Sequence, residues 1–261
     1  LTEITIPNTI DFISSGAFLG CTGLSSVTIP NSVTTIQNAA FSGCTSLSSV
    51  VIPESVTYVG ERAFADCTNL TDVTMSTQID TINSSTFINC TNLSNIKIPD
   101  NVTSIESSVF AGCTSLVSIT VPDSVTSIGV GAFRDCTRLT NIKLSSNLNK
   151  ISSNTFYGCE SLESIFMPDS VTTIDDYAFR ECVNLKTVRM SNNLINTGYH
   201  TFENCTNLEN IRLPNSMTTI NTSTFSGCTN LTGITIPDSV TSIESAAFYG
   251  CTRLSTIYFT G

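Results

Sequence analysis

The sequence predicts an elongated solenoid that contributes one parallel β-strand per coil of 23 residues, and three observations carry that expectation. The eleven cysteines, from Cys21 to Cys251, follow one another at a constant interval of 23 residues with no insertion or deletion. Phe stands three residues before every one of them, from Phe18 to Phe248, and Leu three residues after, from Leu24 to Leu254, without exception. Apolar residues then recur two apart, as at Val27 and Ile29 or Ile119 and Val121, the period of a half-buried strand built from β-branched side chains. A unit of this size cannot bury its own apolar side, so neighbouring units must stack.

Each coil opens with the strand, Leu-x-x-Ile-x-Ile in its commonest form, in which the Val or Ile six residues past the Cys points inward. The eight prolines of the chain (Pro7, Pro30, Pro53, Pro99, Pro122, Pro168, Pro214 and Pro237) all fall just after it. Proline has no N–H for a ladder, so it ends the strand and turns the chain. Asp or Asn and then Ser follow, as in Asp123-Ser124, with side chains suited to bonding the backbone of that turn. A second apolar pair three apart, such as Val125 and Ile128, predicts a short second extended segment. The Ala-Phe-x-x-Cys stretch is expected to close the coil as a short helical turn.

The repeating unit L-x-x-I-x-I-P-x-S-V-x-x-I-x-x-x-A-F-x-x-C closely resembles the BspA-like, or Treponema-type, leucine-rich repeats. The resemblance covers the whole chain: a single array of eleven 23-residue repeats, starting at residues 1, 24, 47, 70, 93, 116, 139, 162, 185, 208 and 231, with a partial twelfth from Leu254. It implies a leucine-rich repeat solenoid with a continuous parallel sheet along one face. It also implies a surface-exposed or secreted protein, often an adhesin for host matrix proteins or other microbes.

Composition excludes several alternatives. With 36 Ser and 40 Thr among 261 residues but 40% hydrophobic residues, the chain is too apolar to be disordered. Lys and Arg number 11 against 21 Asp and Glu, and the net charge of −10 repels nucleic acid. No apolar run reaches the ~18 residues of a membrane helix.

At a strand spacing of ~4.8 Å, eleven coils extend on the order of 50 Å and offer a broad surface with no deep pocket. Residues seven past the Cys face outward along the sheet. Thr is the commonest residue of that column, but four consecutive coils carry Lys143, Phe166, Arg189 and Arg212, with Thr140, Glu163, Lys186 and Glu209 three positions earlier. Arg and aromatic side chains often anchor protein interfaces, which makes Lys143, Glu163, Phe166, Lys186, Arg189, Glu209 and Arg212 the candidate partner-binding set. The alternative is a solvated face whose opposite charges merely prevent association. Two residues before the Cys, Arg134, Tyr157 and Arg180 occupy successive coils and form a second candidate patch, a cation and aromatic stack. The expected partner is a protein ligand from host matrix, plasma or a cell surface, met outside the cell by a monomer whose terminal coils could fray or associate end to end. A stiff spacer that presents another domain is the rival reading.

Other features receive structural readings. The Cys column is expected to be a ladder of buried thiols, since parallel stacking holds Cβ atoms apart and an odd count leaves one unpaired. One ligand per coil cannot converge on zinc. His200, the only His, is read as a solvated surface residue. Asp175, Asp176 and Glu181 lack a cleft in which to act as a hydrolase pair, and Asp100 and Asp123 serve their turns rather than a shared Ca²⁺. Neither catalysis nor a cofactor is expected. A Thr column (Thr34, Thr57, Thr103, Thr126, Thr172, Thr218 and Thr241) resembles those of ice-binding solenoids, but Asp80, Asn149 and Ile195 interrupt it. Among eight glycosylation sequons, Asn83 and Asn221 are expected to be the accessible ones.

Overall fold

A computed structural model describes residues 2–260 and shows a parallel β-solenoid of successive coils. The principal strand is three residues long in most coils, as at Ser118–Thr120 and Ser164–Phe166, reaches four at Gly233–Ile236 and Thr256–Phe259, and is not formed in the coil that starts at Leu93. A two-residue second strand follows in each of eleven coils, from Phe12–Ile13 to Ser242–Ile243. All pairing is parallel, and every register step is 23 residues: Glu3 opposes Ser26, Ser118 opposes Asn141, and Phe166 opposes Arg189.

The inward columns form one core. The Phe three before each Cys is fully buried from Phe41 to Phe225, with Leu24 through Leu231 and Cys44 through Cys228 beside it. Successive Phe rings stack along the axis with centroids 5.1–5.8 Å apart and planes within 17° of parallel. Offset stacks at this separation add about 0.5–1.5 kcal/mol per pair to the area they bury, so the column is a continuous spine.

The closing segment is not helical, which corrects the expected short helical turn. Two residues per coil lie in the left-handed region: the one five before the Cys (Gly16, Ala39, Arg62 and onward to Ala246) and the one immediately before it (Gly20, Gly43, Asp66 and onward to Gly250). Left-handed residues at that spacing interrupt any run of i to i−4 bonds. Alternate N–H groups instead donate forward to the next coil, Gly16 to Asn38 O, Phe18 to Ala40 O and Gly20 to Ser42 O, at 2.7–2.9 Å. The N–H groups between them close local turns, as Cys21 does onto Phe18 O. The third side is therefore laddered to its neighbour as firmly as the two strands.

Hydroxyl richness has the same origin. Ser and Thr side chains point along the stack and donate to carbonyls of the preceding coil, as Ser124 does to Val102 O at 2.6 Å and Thr140 to Val117 O at 3.1 Å. The Ser that follows the proline thus bonds the coil behind it rather than its own turn. Where proline is missing, a buried Ser replaces it: the Ser145 hydroxyl donates to Val125 O and accepts the N–H of Asn147.

All eleven cysteines are free. From Cys44 onward each thiol donates to the carbonyl of the preceding coil's Phe, for example Cys113 to Phe87 O at 3.2 Å. Burial raises these thiols above their ordinary 9.0, Cys44 to about 11 and Cys67 to about 12.

Candidate binding surfaces

The strand face displays the first set as its sequence spacing requires. Lys143, Phe166, Arg189 and Arg212 are all exposed, Phe166 by 57%, above the buried row of Ile142, Ile165, Val188 and Ile211. Phe166 lies directly beside Arg189 in register. Arg212 pairs onward with Thr235 through an isolated parallel bridge. Glu163, Lys186 and Glu209 form an exposed row one step along the strand, where the Lys186 ammonium stands 3.9 Å from the Glu163 carboxylate. At that separation and exposure the pair has little energetic worth and leaves both groups free to exchange partners. Beside Arg189 and Arg212 lies a shallow groove of about 450 Å³, lined also by the buried Met190, Leu213 and Pro214 and by Asn192 and Asn215. A longer groove of about 570 Å³ occupies the same junction at Lys97, Asp100, Asp123 and Lys143.

The second set lies on the closing side, and the structure brings its members together. The guanidinium carbons of Arg134 and Arg180 approach the ring of Tyr157 to 5.1 and 5.8 Å. Arg180 also lies 5.7 Å from Tyr177, whose ring stacks on His200 at 5.0 Å. Glu203 closes the cluster, its Oε2 2.8 Å from Arg180 Nε and 3.1 Å from His200 Nδ1. The Arg180 contact is an ion pair rather than an aligned hydrogen bond, since Nε is otherwise without a partner. Burial, with the Glu181 carboxylate nearby, raises the Tyr157 phenol above its ordinary value.

Tyr177 and His200 were not legible as members of this set, whereas Glu203 follows Arg180 in the same column two before the Cys. Tyr177 and His200 sit at the left-handed position five before the Cys, and only the coil's backward turn carries them over to the column two before it. His200 is accordingly half-buried and packed, a correction to the solvated residue expected. The cations of this face are satisfied within the fold: Arg134 pairs with Asp135 at 3.2 Å and Arg180 with Glu203.

The acids raised as catalytic or metal candidates are occupied structurally. Asp175 holds Lys150 at 2.7 Å, and Asp176 accepts the Tyr199 N–H at 2.8 Å. Asp123 accepts the N–H of Ser146, and that bond holds its carboxyl below the ordinary carboxylate value. Among the described residues no three His, Cys, Asp or Glu side chains converge as a metal site, and no helix is long and apolar enough to cross a membrane.

Two further features of the sequence find a structural reading. The amide nitrogens of Asn83 and Asn221, the atoms a glycan would use, are both donated to the preceding coil, to Val59 O and Thr197 O, and both residues are half-buried. The nitrogens at both sites are therefore already engaged, and neither side chain is fully exposed. In the Thr column, Thr34, Thr103, Thr126, Thr172 and Thr241 donate their hydroxyls to backbone carbonyls one coil back, so they do not form a free hydroxyl lattice for ice.

The chain matches the family model described as a BspA type leucine rich repeat region, in six copies, over residues 1–117, 103–232 and 149–261. No curated protein matches it. Among solved structures it is similar to a leucine-rich repeat protein from Bacteroides ovatus, with 30% identity over 98% of this chain and 78% of that one and a TM-score of 0.69. It is also similar to a leucine rich cell surface protein from Faecalibacterium prausnitzii, with 29% identity, coverage of 100% and 88% and a TM-score of 0.56. The leucine rich repeat protein of T. pallidum is 30% identical over 79% of this chain and 78% of that one, at a TM-score of 0.52.

Proposed function

We propose, from the premise that this chain belongs to the BspA-type leucine-rich repeat family, that it is a protein-binding module displayed outside the cell, an adhesin for host matrix, plasma or cell-surface proteins. Binding is assigned to the strand face at Lys143, Phe166, Arg189 and Arg212, with Glu163, Lys186 and Glu209 at its margin. The observation that carries this reading is the pair Phe166 and Arg189. A large exposed ring and an adjacent guanidinium stand in register on a face that is otherwise mostly Ser and Thr. Aromatic and Arg side chains are the types that supply most of the energy at protein interfaces. The description of the Faecalibacterium relative as a cell surface protein supports the location. The role is non-enzymatic, in keeping with a regular surface whose single His contacts a carboxylate and an aromatic ring.

The unbroken Phe spine favours a second reading, a stiff spacer that holds another domain away from the cell. Binding of the chain to a panel of matrix and plasma proteins and to epithelial cells, beside a folded Arg189→Glu/Arg212→Glu variant, separates the two. Adhesion requires capture by the wild-type chain that the variant loses. Capture by neither, with both folded, leaves the spacer.

A further inference from the structure

The eleven basic residues are not distributed alike in their pairing. Arg62, Arg134, Lys150, Arg180 and Lys186 lie within 4.0 Å of a carboxylate, and Arg253 donates to Asn230. Among the described residues the remaining five, Lys97, Arg138, Lys143, Arg189 and Arg212, have neither an ion pair nor a side-chain hydrogen bond. Four of those five occupy the single outward column of the strand face, and that column contains no acid from Thr28 to Tyr258. In a chain of net charge −10, all but one of the free cations are therefore collected on one line.

Arg189 and Arg212 make the densest point of that line. They stand on adjacent coils, ~4.8 Å apart at the backbone, and line the 450 Å³ groove together with the neutral pair Asn192 and Asn215. Asp169 is already engaged by the N–H and the side-chain amide of Asn192, at 3.0 and 3.1 Å, which lower its carboxyl, and Arg189 is close enough to lower it further. Two unpaired guanidinium forks over an apolar floor match the geometry of carboxylates, which they bind through paired N–H···O contacts. Phe166, alongside Arg189, adds an apolar contact next to the charged one.

We propose that this groove binds an extended acidic segment of a partner protein, laid along the stack with Asp or Glu carboxylates on Arg189 and Arg212 and an apolar side chain on Phe166. The same line of cations continues the track toward Lys143 and Lys97. The inference deepens the strand-face reading and rests on it. A sulfated glycan fits less well than an acidic polypeptide, because it sets more negative charge per unit length against Asp100 and Asp123 of the same junction and its sulfates lack the planar carboxylate geometry that the guanidinium forks match. At ~0.15 M salt the Debye length is ~8 Å, so the local cations govern a short acidic segment despite the negative charge of the whole chain.

The test is affinity of the intact chain for poly-L-glutamate and for heparin at near-physiological salt. Arg189→Gln/Arg212→Gln is compared with Arg62→Gln/Arg253→Gln, which removes the same charge from elsewhere. Poly-L-glutamate should bind, weaken as salt rises, and lose about tenfold or more with the strand-face pair while the control pair leaves it unchanged. Equal loss in both pairs, no binding by the folded wild-type chain, or a preference for heparin overturns the inference. A protein partner captured by the chain but not displaced by poly-L-glutamate also overturns it, while leaving the strand-face reading intact.

Discussion

Thr197 stands in the column where other coils place an apolar residue, only 2% exposed, and its hydroxyl has no hydrogen-bond partner. An unsatisfied buried hydroxyl destabilises by about 1–3 kcal/mol, so Thr197→Val, which keeps the shape and removes the polar atom, should stabilise the fold by about 1 kcal/mol. A denaturant melt with an unchanged or lowered midpoint would contradict the assignment. Phe156 lies at the other extreme, enclosed between Phe133 and Phe179 in the spine. Phe156→Ala should cost on the order of 3–5 kcal/mol and loosen the coils on both sides, measured by the melt and by hydrogen exchange at Phe133 and Phe179. The thiols give a pH dependence with a definite sign. Their folded pKa values lie above the ordinary 9.0, so the folded state holds protons that the unfolded chain releases. Stability from these groups is complete below pH ~9 and is lost as pH rises through the folded values, about 11 for Cys44 and about 12 for Cys67. Thermal melts should show that decline, with a shallower slope in Cys67→Ala. Alkylation at neutral pH should reach the half-exposed Cys21 and Cys251 first.

The closing segment shows how neighbouring coils constrain each other. Gly158 has φ +68°, and a Cβ there would stand 2.5 Å from the Asp135 carboxylate of the preceding coil. Gly112 meets Asn89 and Gly227 meets Asn204 in the same way, whereas Asp66 is followed by Asn89, whose side-chain amide donates to it at 2.8 Å. Gly158→Ala should cost about 1–3 kcal/mol, from left-handed strain together with displacement of Asp135; a neutral substitution by calorimetry would refute this coupling. Both strands, the turn at proline and the buried columns were legible in the sequence, because period-two β-branched residues and an invariant Phe and Leu encode them directly. The closing turn was not. Its left-handed position is filled by Ala39, Arg62, Tyr177 and His200, residue types that carry no glycine signal, and the forward ladder rather than local preference holds them there. For the same reason the outward order of Lys143, Phe166, Arg189 and Arg212 could be read from strand alternation, whereas the meeting of Tyr177 and His200 with Arg180 could not.

Across the whole molecule, stability is a sum over coils and their contacts, and the least covered coils lie at the two ends of the described residues. Phe18 and Phe248 are only partly covered, and Tyr258 and Phe259 are 61% and 70% exposed. Fraying was expected over Leu1 to Pro7 and Leu254 to Gly261, of which Leu1 and Gly261 lie outside the described residues. Hydrogen exchange should be fastest at Thr2–Pro7 and Leu254–Thr260 and slowest near Phe133 and Phe156; equal protection throughout would contradict the nearest-neighbour account. The two candidate surfaces differ in how their cations are paired. On the closing side Arg134, Tyr157, Arg180, Tyr177, His200 and Glu203 satisfy one another and brace four coils, whereas the strand face leaves Lys143, Arg189 and Arg212 free for a partner. The most direct test of that division is the affinity of a captured protein partner for three folded chains: wild type, Arg189→Glu/Arg212→Glu, and Arg134→Gln/Arg180→Gln. The account predicts that the strand-face pair abolishes binding while the closing-side pair lowers thermal stability and leaves affinity unchanged. Loss of binding through the closing-side pair, with the strand-face pair still bound, would contradict it.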